Sequence, residues 1–327
     1  MYLIFSLYET TKAVIVYNDY YKTYTMKDAT ILSKLPNGSG KVNGISYSTT
    51  SLQGMNVGTL YIYTAKIYSG KDNVKVATIF RTIIDTGVTE EMEYYNSISA
   101  TTPSVCTTAG HANDIHVVLA NDINYLLSAT GESEHAISRY RIKGKKLYFT
   151  GYFKLVTKSG RAITCSALRQ FSHSGGYYYF IFKTGESFYY GKVPETDPGS
   201  ESNPSVITIF KIATLDKRNA VFAKSSSSYG TYPNMETWVP QGFVYNPFEK
   251  TIYTPYFEPP KEGEISTTAI IMYYVEKVFT KENMDYKNDR DILVLPTKTS
   301  FYLKGTDFNS KCKGLEVESW FQNSTRY

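Results

Sequence analysis

The sequence predicts an all-β fold, a five-bladed β-propeller closed by strands from both chain ends that share one blade. Three observations lead there: an aromatic-rich composition, many short strand-like runs bounded by turn residues, and a small polar motif that recurs five times. Thirty-one tyrosines and 17 phenylalanines among 327 residues suit a pleated surface, where aromatic and branched side chains pack well. Such residues form runs at Thr59 to Ala65, Asn124 to Thr130, Tyr177 to Lys183, Lys250 to Phe257 and Ala269 to Val275. Gly, Asn, Asp, Ser and Pro separate them, and many short strands with turn signals between specify a sandwich, a barrel or a propeller. The one short helix the pattern offers spans Thr89 to Asn96, around Glu90, Glu91 and Glu93.

Internal repetition selects the propeller. The first unit opens on Leu52-Gln53-Gly54-Met55 and continues into the strand at Thr59 to Tyr63. The second opens on Gly110-His111-Ala112-Asn113-Asp114-Ile115, the third on Thr164-Cys165-Ser166-Ala167-Leu168 and the fourth on Pro240-Gln241-Gly242-Phe243. The fifth, Leu315-Glu316-Val317-Glu318-Ser319-Trp320, lies just before the end. Aligned on Gln53, Asn113, Ser166, Gln241 and Glu318, the steps are 60, 53, 75 and 77 residues, and 62 more close the circle through the termini. The mean, about 65 residues, exceeds the roughly 40 to 50 of familiar propeller repeats, so long loops are implied.

The last unit is a fragment unless the N-terminus completes it. Tyr2 to Tyr8 and Lys12 to Tyr17 read as a hairpin-like pair, and Tyr21 to Leu35 supplies an outer strand. Sharing a blade removes the exposed sheet edge that an open ring would leave. No Pro/Ser-rich linker divides the chain, so residues 1–327 form a single domain; Pro194 to Pro204 reads as a polar hairpin loop within the third unit. The competing reading is a β-sandwich with a second small β domain.

Composition excludes several classes. The chain is 42% hydrophobic, enough for a sizeable core and against disorder. No apolar run nears the roughly 20 residues of a membrane helix, so no integral membrane segment is expected. Thirty-five basic against 30 acidic residues, scattered along the chain, make too weak a field for nucleic acid. Cys106, Cys165 and Cys312 lie far apart without ligand spacing, which argues against a disulfide framework or a zinc site and for buried apolar thiols. The start, Met1 to Glu9, lacks the basic region and cleavage site of a standard signal peptide. Release by lysis or another route, a place in a particle, or a segment upstream of this chain are the corresponding expectations.

In a propeller the first strand of each blade lines the central channel, and its head faces one mouth. Gln53, His111, Asn113, Asp114, Gln241, Glu316 and Glu318 are therefore the candidate ligand-binding residues. The competing explanation is structural: crowded inner strands need small residues, and buried amides need partners. His111 beside Asp114 has the pairing of a carboxylate and an imidazole, yet no serine or cysteine in a nucleophile motif accompanies it. His111 and His116, five apart on one expected strand, point to opposite faces and make poor metal co-ligands. Glu316 and Glu318 share a strand face by period two, so they and Asp114 are the carboxylates available for glycosidic acid–base chemistry. No phosphate loop or EF-hand calcium loop appears, and no metal, cofactor or nucleophilic residue is expected. Lys143, Lys145 and Lys146 read as a solvated turn.

The order of certain motifs resembles the helveticin J-like class III bacteriocins, a family of large antibacterial proteins. The carriers are Gly110 to Asp114, Tyr125 to Thr130, Ala136 to Tyr140, Gln241-Gly242-Phe243 with Ile252-Tyr253, and Glu316 to Ser319. They span roughly residues 105 to 322. The chain stops soon after Glu318, with the remaining strands at the N-terminus, so it resembles a circularly shifted version of that ring. The resemblance implies a bacteriocin-like or phage-borne role, with His111 and the Glu316/Glu318 segment at the funnel. The leading expectation is a non-catalytic module that binds a cell-surface glycan or a protein partner through one funnel face. The alternatives are a glycoside-directed hydrolase using Asp114 with Glu316 or Glu318, and a structural component of a virus particle or secreted assembly.

Overall fold

Strand formation follows the aromatic and branched runs closely. The computed structural model describes residues 14–15, 32–70, 74–196, 198–218, 220–223, 229–231, 235–257, 268–280, 282–283, 288–290, 292–296 and 301–303. A two-residue strand β1 (Val14–Ile15) precedes a hairpin, β2 (Gly38–Val42) and β3 (Ile45–Thr49). The first meander is β4 (Ser51–Val57), β5 (Tyr61–Ser69), β6 (Lys75–Ile83) and β7 (Thr89–Glu91), followed by β8 (Glu93–Tyr95). The second is β9 (Asp114–Ala120), β10 (Ile123–Ala129), β11 (Ile137–Lys143) and β12 (Lys146–Thr157), with β13 (Ala162–Ile163) behind it. The third is β14 (Ala167–Ser174), β15 (Tyr177–Thr184), β16 (Ser187–Pro194) and β17 (Ser205–Leu215). A small hairpin, β18 (Val221–Ala223) and β19 (Tyr229–Thr231), leads to the fourth sheet. That sheet combines β20 (Val239–Pro240), β21 (Val244–Asn246), β22 (Thr251–Phe257) and β23 (Thr268–Tyr274) with β25 (Phe301–Leu303), while β24 (Ile292–Val294) departs from it.

Each meander is antiparallel, and period-two alternation sends neighbouring side chains to opposite sheets. On the second meander, Ile115, Leu126 and Tyr140 pack with Ile67, Ala77 and Ile79 of the first. Val118, Leu127 and Phe153 pack instead with Leu168, Phe180 and Phe182 of the third. Ile181, Phe188 and Tyr190 turn the other way, onto Phe243, Ile252 and Tyr256 of the fourth. Every residue of β22 is buried, as expected for a strand covered on both faces. The core is thus three layers between four sheets stacked in chain order, and burial of each such side chain contributes about 1.5–3 kcal/mol. Antiparallel four-stranded sheets packed face to face with their first strands adjoining form the blade arrangement of a β-propeller.

The outer strands β12 and β17 pair in parallel, from Phe153 with Ser205 to Thr157 with Ile209, and join the second and third meanders into one sheet. The Pro194 to Pro204 segment is the connection between β16 and β17, and it reaches across that seam. The amide of Gly199 donates to the Tyr152 carbonyl at 3.2 Å, and the Tyr152 amide returns a bond of 2.8 Å. Gly151 sits beneath it with φ +137°, where a Cβ would stand 2.2 Å from the Gly199 carbonyl oxygen.

One expectation is corrected here, and another lies mostly outside the described residues. Residues Thr89 to Asn96 form no helix; they supply β7 and β8. The cross-strand pair Arg81–Glu90, with Nε to Oε2 at 2.8 Å, and the pairing of β8 with β12 satisfy this stretch as strand. At the N-terminus only Val14–Ile15 of the expected hairpin is described. It pairs in parallel with β24, beside the third meander, while Tyr2 to Tyr8 lie outside the described residues.

Candidate functional site at the strand heads

The first strands meet at a buried polar cluster. A bulge in β4 at Gln53–Gly54 swings the Gly54 backbone onto β9, where a Cβ would come within 2.8 Å of the Asp114 carbonyl carbon and the Ile115 nitrogen. Asp114, the first residue of β9, is 2% exposed. Its Oδ1 accepts the Ile115 amide at 3.0 Å, and its Oδ2 accepts the Leu168 amide of β14 at 3.0 Å and the Arg169 guanidinium. Arg169 also donates to its neighbour's carbonyl, Leu168, at 2.7 Å and lies 5.7 Å over the Phe243 ring. One ion pair therefore links the second, third and fourth units. Burial pushes the Asp114 carboxyl up to about 6, while Arg169 and the two amides hold it from rising further.

His116 follows on the same side of β9. The Asn56 Oδ1 accepts the Val117 amide at 2.9 Å, which leaves its amide nitrogen to face His116 Nδ1 at 3.3 Å. Nδ1 is then the acceptor and Nε2 carries the proton. Burial, followed by the nearby Arg169 charge, drives the imidazole down to about 3, so it is neutral. Its edge meets Phe180 at 5.6 Å.

Two lysines of the third meander reach the fourth. Lys183, at the end of β15, is 1% exposed and donates from Nζ to the Gln241 carbonyl. Burial lowers its pKa to about 7, against the stabilising charges of Glu186 and Asp114. Lys217 Nζ donates to the Trp238 carbonyl at 2.8 Å and pairs with Glu186 at 2.9 Å. Glu186, Thr214, Asp216, Lys217, Arg218 and Glu236 line a pocket of about 270 Å³ beside them.

The structure sorts the expected residues as follows. Asp114 is at the centre, with its carboxylate fully engaged. Gln53 is half-buried in the β4 bulge. His111 precedes β9 instead of lying on one strand with His116, and its amide bonds the Thr130 carbonyl at 2.8 Å. Asn113 is half-buried, with Nδ2 only 2.8 Å from where a Cβ on Gly131 would stand. The Gln241 amide bonds the Pro255 carbonyl at 2.9 Å, and its Nε2 bonds the Val239 carbonyl at 3.4 Å. Glu316 and Glu318 lie outside the described residues. The bonds on Asp114 come from Ile115, Leu168 and Arg169, the last of which motif reading passed over, one residue beyond the third motif. Cys106 and Cys165 are buried free thiols, and burial raises both pKa values. Among the described residues no three His, Cys, Asp or Glu are grouped to hold a metal ion, and no helix is long and apolar enough to cross a membrane.

No family model matches the chain, and no curated protein matches it. Among solved structures, the chain is similar to RS223 β-xylosidase, at 11% identity and TM-score 0.36 over 67% of this chain and 68% of that one. It is also similar to CoXyl43, a GH43 β-xylosidase/α-arabinofuranosidase from a compost microbial metagenome, at 11% identity and TM-score 0.35 over 67% and 68%. A third is a candidate 6-phosphogluconolactonase from Bacteroides uniformis, at 12% identity and TM-score 0.35 over 71% of each chain. These structures are named for enzymes, which goes against the expected non-catalytic binding module; the likeness itself is one of fold. The Asp114 carboxylate, expected to face a ligand, is instead sealed between strands.

Proposed function

We propose that the chain is a glycoside-directed hydrolase built on a single five-bladed ring, with its reaction centre at the channel mouth. The observation that carries this is the buried Asp114–Arg169 pair at the meeting of three first strands, where burial raises the carboxyl to about 6. Asp114 has no open face, so it serves as a positioning residue that holds Arg169 and the strand heads. Glu316 or Glu318 supplies the acid that touches the glycosidic oxygen. The four described sheets, stepped at similar intervals, support a fifth blade assembled from both chain ends.

The substrate proposed is a bacterial cell-surface glycan, which would unite hydrolysis with the antibacterial family that the motifs resemble. Aryl β-xylosides and α-arabinofuranosides, the classes for which two similar structures are named, are the first probes. Wild-type protein should release the aryl group, with Glu316→Gln or Glu318→Gln losing at least about 100-fold, the scale of lost acid catalysis. Equal rates in wild type and both variants exclude these acids. In a structure of the site, carboxyls about 5–5.5 Å apart predict retention and about 6.5–9.5 Å inversion.

A further inference from the structure

Lys183 is a buried charge that touches two of the repeated motifs. Its carbonyl accepts both the Ser166 amide and the Ser166 hydroxyl, each at 2.9 Å. Its ammonium donates to the Gln241 carbonyl. In register it stands opposite Ala167, next to the Leu168 and Arg169 pair that grips Asp114. A methionine would fill the same space without the cost of burying a cation, so the charge itself calls for a reason.

We infer that Lys183 is the positioning residue of the channel mouth: one buried cation sets the Gln241 segment against the Asp114–Arg169 pair and fixes the spacing of three motifs. Lys217 provides a second prong on the same segment, at the Trp238 carbonyl, and is itself tethered by Glu186. The charged and titratable groups that face Lys183 are Asp114 and Glu186, which favour its ammonium, Cys165, and the opposing Lys217. Those that face Asp114 are Arg169 and the Leu168 and Ile115 amides, with neutral His116 two residues along the strand. Asp114 is thus one of the two carboxylates whose charge favours the Lys183 ammonium, after Glu186. The catalytic consequence rests on the hydrolase reading; the spacing does not.

The test is a carbon-13 titration of the Asp114 carboxyl together with amide hydrogen exchange at Gln241. In Lys183→Met the Asp114 midpoint should rise by about one pH unit, a tenfold gain in proton affinity. Exchange at the Gln241 amide, which bonds the Pro255 carbonyl, should accelerate at least tenfold. Lys183→Arg, which keeps the charge, should hold the midpoint near the wild-type value. An unchanged midpoint and unchanged exchange in Lys183→Met overturn the inference. If that variant does not fold, the wild type decides: the Lys183 Cε signal must shift through the Asp114 transition, and a flat signal overturns the role. Under the hydrolase reading, Lys183→Met lowers kcat with KM little altered. Coupled titrations in a protein that hydrolyses no glycoside sink the enzyme reading and leave Lys183 in its place.

Discussion

Replacing Lys183 by methionine should abolish a rise of stability with pH that the wild type shows between pH 7 and 9.5. The folded state lowers this lysine from 10.5 to about 7, so within that window the unfolded chain binds more protons than the folded one. Stability then increases with pH, by 1.36 kcal/mol per unit, or about 3 kcal/mol across the window. Above it the buried tyrosines act in the opposite sense, since Tyr63 and Tyr245 are raised to about 12 and lose stability as they ionise. The methionine variant orphans the Gln241 carbonyl at a cost of about 1–3 kcal/mol, but that cost is independent of pH and drops out of the slope. Urea unfolding at four pH values, with m held constant, measures the difference. Parallel stability curves for wild type and Lys183→Met would refute the assignment of a costly buried ammonium.

The remaining predictions concern the same cluster and its surroundings. The Asp114 carboxyl is raised from 3.8 to about 6, so its contribution is present at low pH and is lost as pH rises through 6. Relative to Asp114→Asn, the wild type should lose about 2 kcal/mol between pH 4 and 6 in urea titrations. Gly54→Ala places a methyl 2.8 Å from β9 backbone atoms, which cannot yield as a side chain would, and should cost about 1–3 kcal/mol in thermal unfolding. Cys106 and Cys165, buried and with raised pKa values, should resist iodoacetamide in native protein and react once it is unfolded, as read by peptide mass spectrometry.

Strand order was legible because its cause is local. Tyr177 to Lys183 and Lys250 to Phe257 are rich in aromatic and branched residues, and both become strands within a residue or two of the expected ends. The motif heads were legible as places: Asp114 opens β9 and Gln241 precedes β21. Their chemistry was not, because the partners come from other units. Arg169 is an ordinary basic residue in its own strand, and only the approach of β9 to β14 makes it the counterion of Asp114. Lys183 left a faint mark, a lone charge closing a run of six aromatic and aliphatic residues. The glutamates of the first unit misled for a similar reason: their spacing suits a helix, but the cross-strand Arg81 and the edge of β12 decide otherwise.

The decisive property is whether the channel mouth cleaves a glycosidic bond. Full-length protein incubated with purified bacterial cell-wall glycan should generate new reducing ends linearly with time, at a rate that collapses in Glu316→Gln or Glu318→Gln. A well-folded wild type that yields no more reducing ends than buffer, on cell-wall glycan and aryl glycosides alike, contradicts it.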